Sequence, residues 1–269
     1  MTTKNRKPVQ EVVKPFLTGS PTDERTVKGA LGFLGVLVLA GFMTFLVCSA
    51  LNMNSSVLRV GLNLVVEALI LLIFYNNAVG RGADAVARGE ILYQKQEKGQ
   101  PFAASEKAIC FHPLKGYLTG FLGTIPLLVC AVFLAVTATR QMTGYGALPG
   151  WISAYQDRTE VGDALVAYTV REGIGVADVL RIIVRMSVMP FISMAGNEDR
   201  EALLLVERLS PVIVLLPALA YGTGYLQGRK ERTKIHTGIA QSRKNRAKKE
   251  RKARKARAGR GPRTPQQLN

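Results

Sequence analysis

Long uninterrupted apolar runs alternate along the chain with segments that carry nearly all of its charge. Four of these runs are long enough to cross the hydrocarbon core of a bilayer, which takes about 20 helical residues. They lie at about 29–51, 60–80, 116–139 and 203–228. None alternates with the period of two that a barrel strand needs, so the runs predict helices, whose backbone groups are satisfied internally. The pattern therefore predicts an all-α integral membrane protein built on a four-transmembrane-helix bundle.

A fifth apolar stretch, residues 176–196, is a weaker candidate for a span. It contains Arg181 and Arg185 and is interrupted by Pro190, and its uncharged part covers only the twelve residues 186–197. Charged side chains are costly in the middle of a bilayer, and proline interrupts a helix. The sequence predicts an additional semi-buried helix here, either re-entrant or interfacial, although a short fifth span has a similar pattern.

The distribution of lysine and arginine predicts the orientation of the spans. Cytoplasmic flanks of transmembrane helices are enriched in these residues. The first 28 residues hold six of them, the 81–115 loop holds six, and residues 229–269 hold sixteen. The 140–202 segment, by contrast, has six Arg against eight Asp and Glu. Four spans would place both termini and the 81–115 loop in the cytoplasm, and the 140–202 segment outside the cell membrane.

Three regions follow from this topology. Residues 1–28 form a polar cytoplasmic N-terminus, 29–228 the transmembrane domain, and 229–269 a basic cytoplasmic tail. Within the transmembrane domain, the 81–115 loop is expected to form a short amphipathic helix, a turn and a second helix that enters the third span. The semi-buried helix 176–196 belongs to the outer segment.

Six polar side chains lie at membrane depth or near the outer ends of spans. They are Asn63, Glu67, Arg181, Arg185, Glu207 and Arg208. The structural interpretation pairs Glu67 with Arg181 or Arg185, which would fasten the semi-buried helix to the bundle. Under that interpretation Glu67→Gln should destabilise the protein strongly, because it would leave buried cations unpaired. The functional interpretation is a site for an anionic or amphiphilic ligand.

The basic tail is rich in Lys, Arg and Ala and free of Gly and Pro from 239 to 258, so it can be helical. The cations that could contact lipid or RNA are Arg243, Lys244, Arg246, Lys248, Lys249, Arg251, Lys252, Arg254, Lys255 and Arg257. They cover every face of a helix, and no aromatic residue follows Tyr225 to stack on bases. The tail is therefore expected to anchor the topology and to contact anionic lipid headgroups, with ribosome or RNA docking and a protein partner as alternatives.

No catalytic, cofactor or metal motif is found in the sequence. Its three cysteines have no zinc-type spacing, and neither of its two histidines lies in a predicted span. No phosphate-binding or dinucleotide fingerprint follows a strand. We therefore expect no cofactor and no bound metal, identify no small-molecule ligand, and find nothing that supports an enzyme.

The sequence favours a non-enzymatic scaffold or accessory subunit of the membrane. Its partners would be anionic membrane lipids, other membrane subunits, and the ribosome or RNA through the tail. The alternative function is a transporter, or a membrane-protein insertase with a ribosome-docking tail. A small-molecule transporter would need polar groups near mid-membrane on several spans, and only Asn63 and Glu67 meet that requirement.

Overall fold

The computed structural model describes residues 11–50, 55–138, 176–196 and 199–258, and within these ranges all regular structure is helical. The helices are α1 Glu24–Ala50, α2 Ser56–Glu97, α3 Ala104–Ala108, α4 Lys115–Thr137, α5 Val176–Ser187, α6 Met189–Ala195, α7 Arg200–Val214 and α8 Leu216–Ala258. The first ten residues, most of the predicted outer segment, and the end of the tail lie outside the described residues.

Four helical segments are long and apolar enough to cross a membrane. They are α1, α2, α4 and the segment Glu201–Lys255, which α7 and α8 form together. The predicted all-helical fold with four helices long and apolar enough to span a membrane is confirmed for the described residues. Each span turns its apolar side chains outward as well as inward, as expected for helices that face lipid, with Phe33, Phe74 and Leu134 among the side chains packed inside.

Contacts between the helices define two ends of the bundle. Lys115 at the start of α4 meets Asp23 just before α1, and Glu90 of α2 meets Arg232 of α8. We call this the basic end, formed by residues 11–29, 81–119 and 221–258. Near the start of α2, Asn63 bonds to Ser193. We call this the opposite end, formed by residues 55–63, 176–181 and 193–208.

The two longest helices, α2 and α8, pack side by side and continue past the bundle at the basic end. They have 42 and 43 residues, or about 63 and 65 Å at 1.5 Å per residue, twice the thickness of a hydrocarbon core. At Gly82 and Gly228 the backbones approach so closely that a Cβ atom would collide with the neighbouring helix. The second span, predicted at about 60–80, and the short helix predicted at the start of the 81–115 loop form one continuous helix, α2, which ends at Glu97.

An extended segment, residues 11–22, lies across the basic end. Its Leu17 N–H donates to the Gly89 carbonyl of α2 at 3.1 Å, and its Gly19 N–H donates to the Phe111 carbonyl at 3.0 Å. The Phe16 ring packs edge-on against Phe111, and the Arg229 guanidinium lies 5.5 Å from the Phe16 ring centre. The N-terminal segment thus ties α2 and α8 to the connection that leads into α4.

Candidate functional site

Two helical segments are interrupted inside the bundle, and proline explains both interruptions. α5 ends at Ser187 and α6 begins at Met189, while α7 ends at Val214 and α8 begins at Leu216. Pro190 has no N–H to donate to the Met186 carbonyl four residues earlier, and Pro217 has none for the Ile213 carbonyl. Each interruption therefore leaves carbonyl oxygens that have lost their usual helical donor.

Both interruptions lie at the depth of Glu67. Ser187 from the first, Val214 from the second and the Glu67 side chain all line one small cavity of about 20 Å³. Thr44 of α1 completes its polar lining, and Leu37, Ile70 and Leu127 are among the apolar side chains that close it. Four separate segments thus bring oxygen atoms to a single point in the interior of the bundle.

Glu67 is half-buried on the inward face of α2, and no described residue forms an ion pair with it. The Thr44 hydroxyl donates to the Ala40 and Gly41 carbonyls, each at 2.8 Å, and the Ser187 hydroxyl donates to the Ile183 carbonyl at 3.1 Å. Both hydroxyl hydrogens are therefore directed at their own helices. Toward the cavity, the Thr44 and Ser187 oxygen atoms can therefore act as hydrogen-bond acceptors or metal ligands.

A second carboxylate, Glu207, pairs with both arginines of α5, and Arg181 also pairs with Asp178 at 3.7 Å. The Glu207 side chain is only 3% exposed, and its Oε1 accepts from Arg181 Nε at 3.0 Å and from Arg185 Nε at 2.8 Å. The predicted pairing of these arginines with Glu67 is thereby corrected. Residues 181 and 185 lie on one side of α5, whereas residue 187 is about 200° further round the helix than residue 185, so the cavity and the arginines occupy different faces.

The two remaining members of the predicted polar cluster are separate from both carboxylates. Asn63 is fully buried and its Nδ2 donates to the Arg59 carbonyl at 2.8 Å and to Ser193 Oγ at 3.0 Å, but its Oδ1 has no hydrogen-bond partner. Arg208 is exposed on α7. The predicted cluster therefore divides into the ion-paired group of Glu207, Arg181 and Arg185, the Glu67 carboxylate at a cavity, the buried amide of Asn63, and the exposed Arg208.

A third buried carboxylate, Glu90, was not identified from the sequence. It accepts from Arg232 Nε at 3.2 Å and Nη2 at 3.0 Å, and its Oε1 lies 2.7 Å from His236 Nε2. This cluster fixes α8 to α2 beyond the spans. The sequence did contain a signal that the second helix continues to Glu90. Small and apolar residues at helical spacing continue the buried face of the second span, namely Ala78, Gly82, Val86 and Gly89.

A cation-lined cavity of about 320 Å³ opens at the basic end. Its charged lining consists of Arg25, Lys28, Arg81, Arg88, Lys115, Asp23 and Asp84, which gives a net charge of +3. Lys115 is buried and pairs with Asp23 at 3.2 Å. Burial alone would raise the pKa of Asp23, but hydrogen bonds from Thr26 and Lys115 outweigh it and hold that pKa below its ordinary value of 3.8.

The basic helix beyond the bundle is fully exposed. Residues 241–255 of α8 are exposed on every side, and this stretch includes all the predicted tail cations from Arg243 to Lys255. The side chain of Arg257 lies outside the described residues. One to two turns earlier α8 contacts other described segments, where His236 meets Glu90 and Thr237 Oγ1 accepts from the Val12 N–H at 3.0 Å.

No family model, curated protein or solved structure matches this chain. Within the described ranges, no three His, Cys, Asp or Glu side chains are grouped closely enough to hold a metal ion.

Proposed function

We propose that the protein is a non-enzymatic membrane scaffold that holds a basic helical arm, residues 241–258 of α8, at the cytoplasmic face for binding to RNA. The observation that carries this proposal is that α8 is one continuous helix from the fourth span to Ala258. The arm is therefore an extension of a transmembrane helix and not a separate flexible segment.

The length of α8 favours a partner in the aqueous phase over lipid headgroups. From Gly228, where α8 leaves the bundle, Arg243 is about 22 Å and Lys255 about 40 Å further along a helix that rises 1.5 Å per residue. Attraction between exposed charges decays over about 8 Å at physiological ionic strength. An arm that continues along the axis of its span would carry these cations beyond reach of the bilayer surface.

The charge pattern of the arm favours binding to the phosphate backbone of RNA over binding to lipid headgroups. Cations cover all its faces, so it has no apolar stripe that could enter a lipid interface. It has no aromatic side chain for stacking on bases, so we expect binding that depends on charge and salt and not on RNA sequence. Anionic lipid would instead be attracted to the cation-lined cavity at the basic end, which is closer to the membrane.

The base of the arm is rigidly mounted, as a scaffold requires. Glu90 binds both Arg232 and His236, and the extended N-terminal segment contacts α2 and α8 on the same side. We further propose that both termini face the cytoplasm, in agreement with the Lys and Arg distribution. In the same topology, α5 and α6 form a re-entrant helical hairpin that enters from the outer side and turns at Val188.

A test compares RNA binding by the full chain and by two tail variants in nanodiscs of neutral lipid. In the first variant the nine Lys and Arg residues between 243 and 255 become Gln, which retains helix propensity but removes the charge. In the matched control the four arginines in this stretch, Arg243, Arg246, Arg251 and Arg254, become Lys. Binding of a fluorescent single-stranded RNA is measured across a series of salt concentrations.

The wild-type protein and the Lys control should bind RNA with affinity that falls steeply as salt rises, and the Gln variant should lose that binding. A parallel measurement replaces the RNA with vesicles that contain an anionic phospholipid. Binding of the arm to these vesicles and not to RNA would overturn the proposal in favour of lipid. If the Gln variant binds RNA as well as wild type does, the cations of the arm are not required for RNA binding.

A transporter is the second candidate, and one observation favours it. Broken helices that meet at mid-membrane are a recurrent feature of transporter binding sites, and α5–α6 and α7–α8 are both interrupted at the depth of Glu67. Reconstituted protein that moves a labelled solute down a gradient, and loses that flux in Glu67→Gln, would establish this function. Absence of flux for inorganic cations and amino acids would leave the scaffold as the better account.

A further inference from the structure

We propose that the cavity beside Glu67 binds a single monovalent metal cation, with Na⁺ as the ion that the site accepts. The inference is independent of the basic arm and of RNA binding. It depends on four features of the cavity: a carboxylate without an ion-pair partner among the described residues, hydroxyls that offer acceptor oxygen, the C-terminal ends of two interrupted helices, and a volume that admits one small species.

The first feature is the carboxylate of Glu67, because a charged side chain at membrane depth requires a compensating charge. Ionisable side chains inside a bundle are rare and normally pair with one another. Glu207 meets this requirement through Arg181 and Arg185, and Glu90 through Arg232 and His236. Among the described residues Glu67 has no such partner, and no lysine, arginine or histidine lines its cavity. A bound cation would supply the missing positive charge.

The hydroxyl groups determine which kind of ligand fits. A serine or threonine hydroxyl has one hydrogen and two lone pairs. The hydrogens of Thr44 and Ser187 are already engaged by the carbonyls of Ala40, Gly41 and Ile183. Only lone pairs then face the cavity. A site that offers carboxylate and hydroxyl oxygen without a hydrogen donor suits a hard cation, since such cations prefer oxygen ligands.

The interrupted helices add further negative potential. The C-terminal end of a helix carries partial negative charge, and such ends coordinate cations where helices are broken inside membranes. α5 and α7 both end at this cavity. The Met186 carbonyl, which Pro190 deprives of its helical donor, lies near Gly41, a residue of the cavity wall. Ile213 and Val214, at the end of α7, line the cavity directly.

The volume and charge limit the ligand to one small monovalent ion. A cavity of about 20 Å³ holds about one water-sized species. One carboxylate supplies a single negative charge, which a monovalent cation neutralises. A hydrated cation would be too large for the cavity. A divalent cation would leave an excess of positive charge among apolar neighbours.

The test measures thermal unfolding of the full chain in neutral nanodiscs as Na⁺ replaces choline at constant ionic strength. Wild-type protein should be stabilised in a saturable manner, because a ligand that binds only the folded state raises its unfolding temperature. Glu67→Gln should abolish this stabilisation. Thr44→Val and Ser187→Ala should each raise the half-saturating Na⁺ concentration by about tenfold, the effect of losing one contact to a charge.

The matched control is Glu106→Gln, which removes an exposed carboxylate at the basic end and should leave the Na⁺ response unchanged. If Glu67→Gln does not fold, the Thr44 and Ser187 variants still test the site. Equal stabilisation of wild type and Glu67→Gln by Na⁺ would overturn the proposal. So would stabilisation of wild type by acidification and not by Na⁺, which would show that Glu67 binds a proton.

Discussion

Glu207 and Glu67 are both carboxylates in the interior of the bundle, but their surroundings differ. Glu207 is almost completely buried and accepts hydrogen bonds from two arginines of α5, both within 3.0 Å. Glu67 is half-buried, lines a cavity with hydroxyl oxygen, and has no ion-pair partner among the described residues. The two side chains approach opposite faces of the same helix, α5.

The difference shows two ways in which a membrane bundle can accommodate a negative charge. Glu207 pairs with two arginines of the same chain, so it fastens α5 to α7. No described cation balances Glu67, so a charge on its carboxylate would need a partner from outside the described chain. The first carboxylate is therefore structural, and the second is the one proposed to bind a cation.

The largest expected effect is that of Glu207→Gln. Removing the carboxylate breaks the buried ion pairs that Glu207 forms with Arg181 and Arg185, and breaking a buried ion pair costs about 3–5 kcal/mol. Unfolding by a denaturing detergent should show a loss of this size. Glu67→Gln, measured in choline, is the matched control within the same bundle. Equal losses in the two variants would contradict the distinction between the two carboxylates.

The ion-paired group of Glu207, Arg181 and Arg185 can also be removed as a unit. Replacing Arg181 and Arg185 with Met and Glu207 with Leu removes both signs of charge together, and such replacements of buried ion pairs are often neutral or stabilising. We expect the triple variant to recover most of the stability that Glu207→Gln loses. A triple variant as unstable as the single one would show that packing, and not unpaired charge, governs this region.

Glu90→Gln should have an intermediate effect, confined to the basic end. It weakens charged hydrogen bonds to Arg232 and His236, which are worth about 1.5–3 kcal/mol as a class. Hydrogen exchange should accelerate in α8 between residues 229 and 240 and remain unchanged around Glu207. Acceleration at Glu207 as well would indicate that the two ends of the bundle are coupled.

Asp23→Asn should have a smaller effect, about 1–2 kcal/mol, because Asn still caps α1 and buried Lys115 still donates to the Ala108 and Cys110 carbonyls. The pKa of Asp23 is lowered in the folded protein, so its contribution is present above pH 3.8 and is lost as pH falls below that value. Wild-type stability should therefore decrease on acidification below pH 3.8 more than that of Asp23→Asn.

Glu67→Gln in choline should have the smallest effect, within about 0.5 kcal/mol of wild type, because no described cation loses a partner. This reverses the expectation that follows from pairing Glu67 with the arginines. Detergent-induced unfolding without Na⁺ provides the measurement. A loss of several kcal/mol in choline would show that Glu67 stabilises the bundle through groups other than a bound cation.

The sequence by itself determined the four spans. Membrane insertion depends on the summed transfer free energy of about 20 neighbouring residues, which is a local property that can be read along the chain. The number of apolar helices followed from the sequence for this reason. Pro190 and Pro217 lie beside the two interruptions, but Pro126 and Pro211 lie inside unbroken helices, so proline alone did not indicate where a helix breaks.

Only the tertiary structure decided which charges meet. Arg181 is 114 residues from Glu67 and 26 from Glu207, and neither separation indicates a partner. Pairing depends on the rotation of each helix about its axis, which is set by close packing between elements distant in sequence, such as the glycine contacts between α2 and α8. That rotation turned the arginines of α5 toward Glu207, and it left Glu67 facing a cavity with oxygen atoms from three other segments.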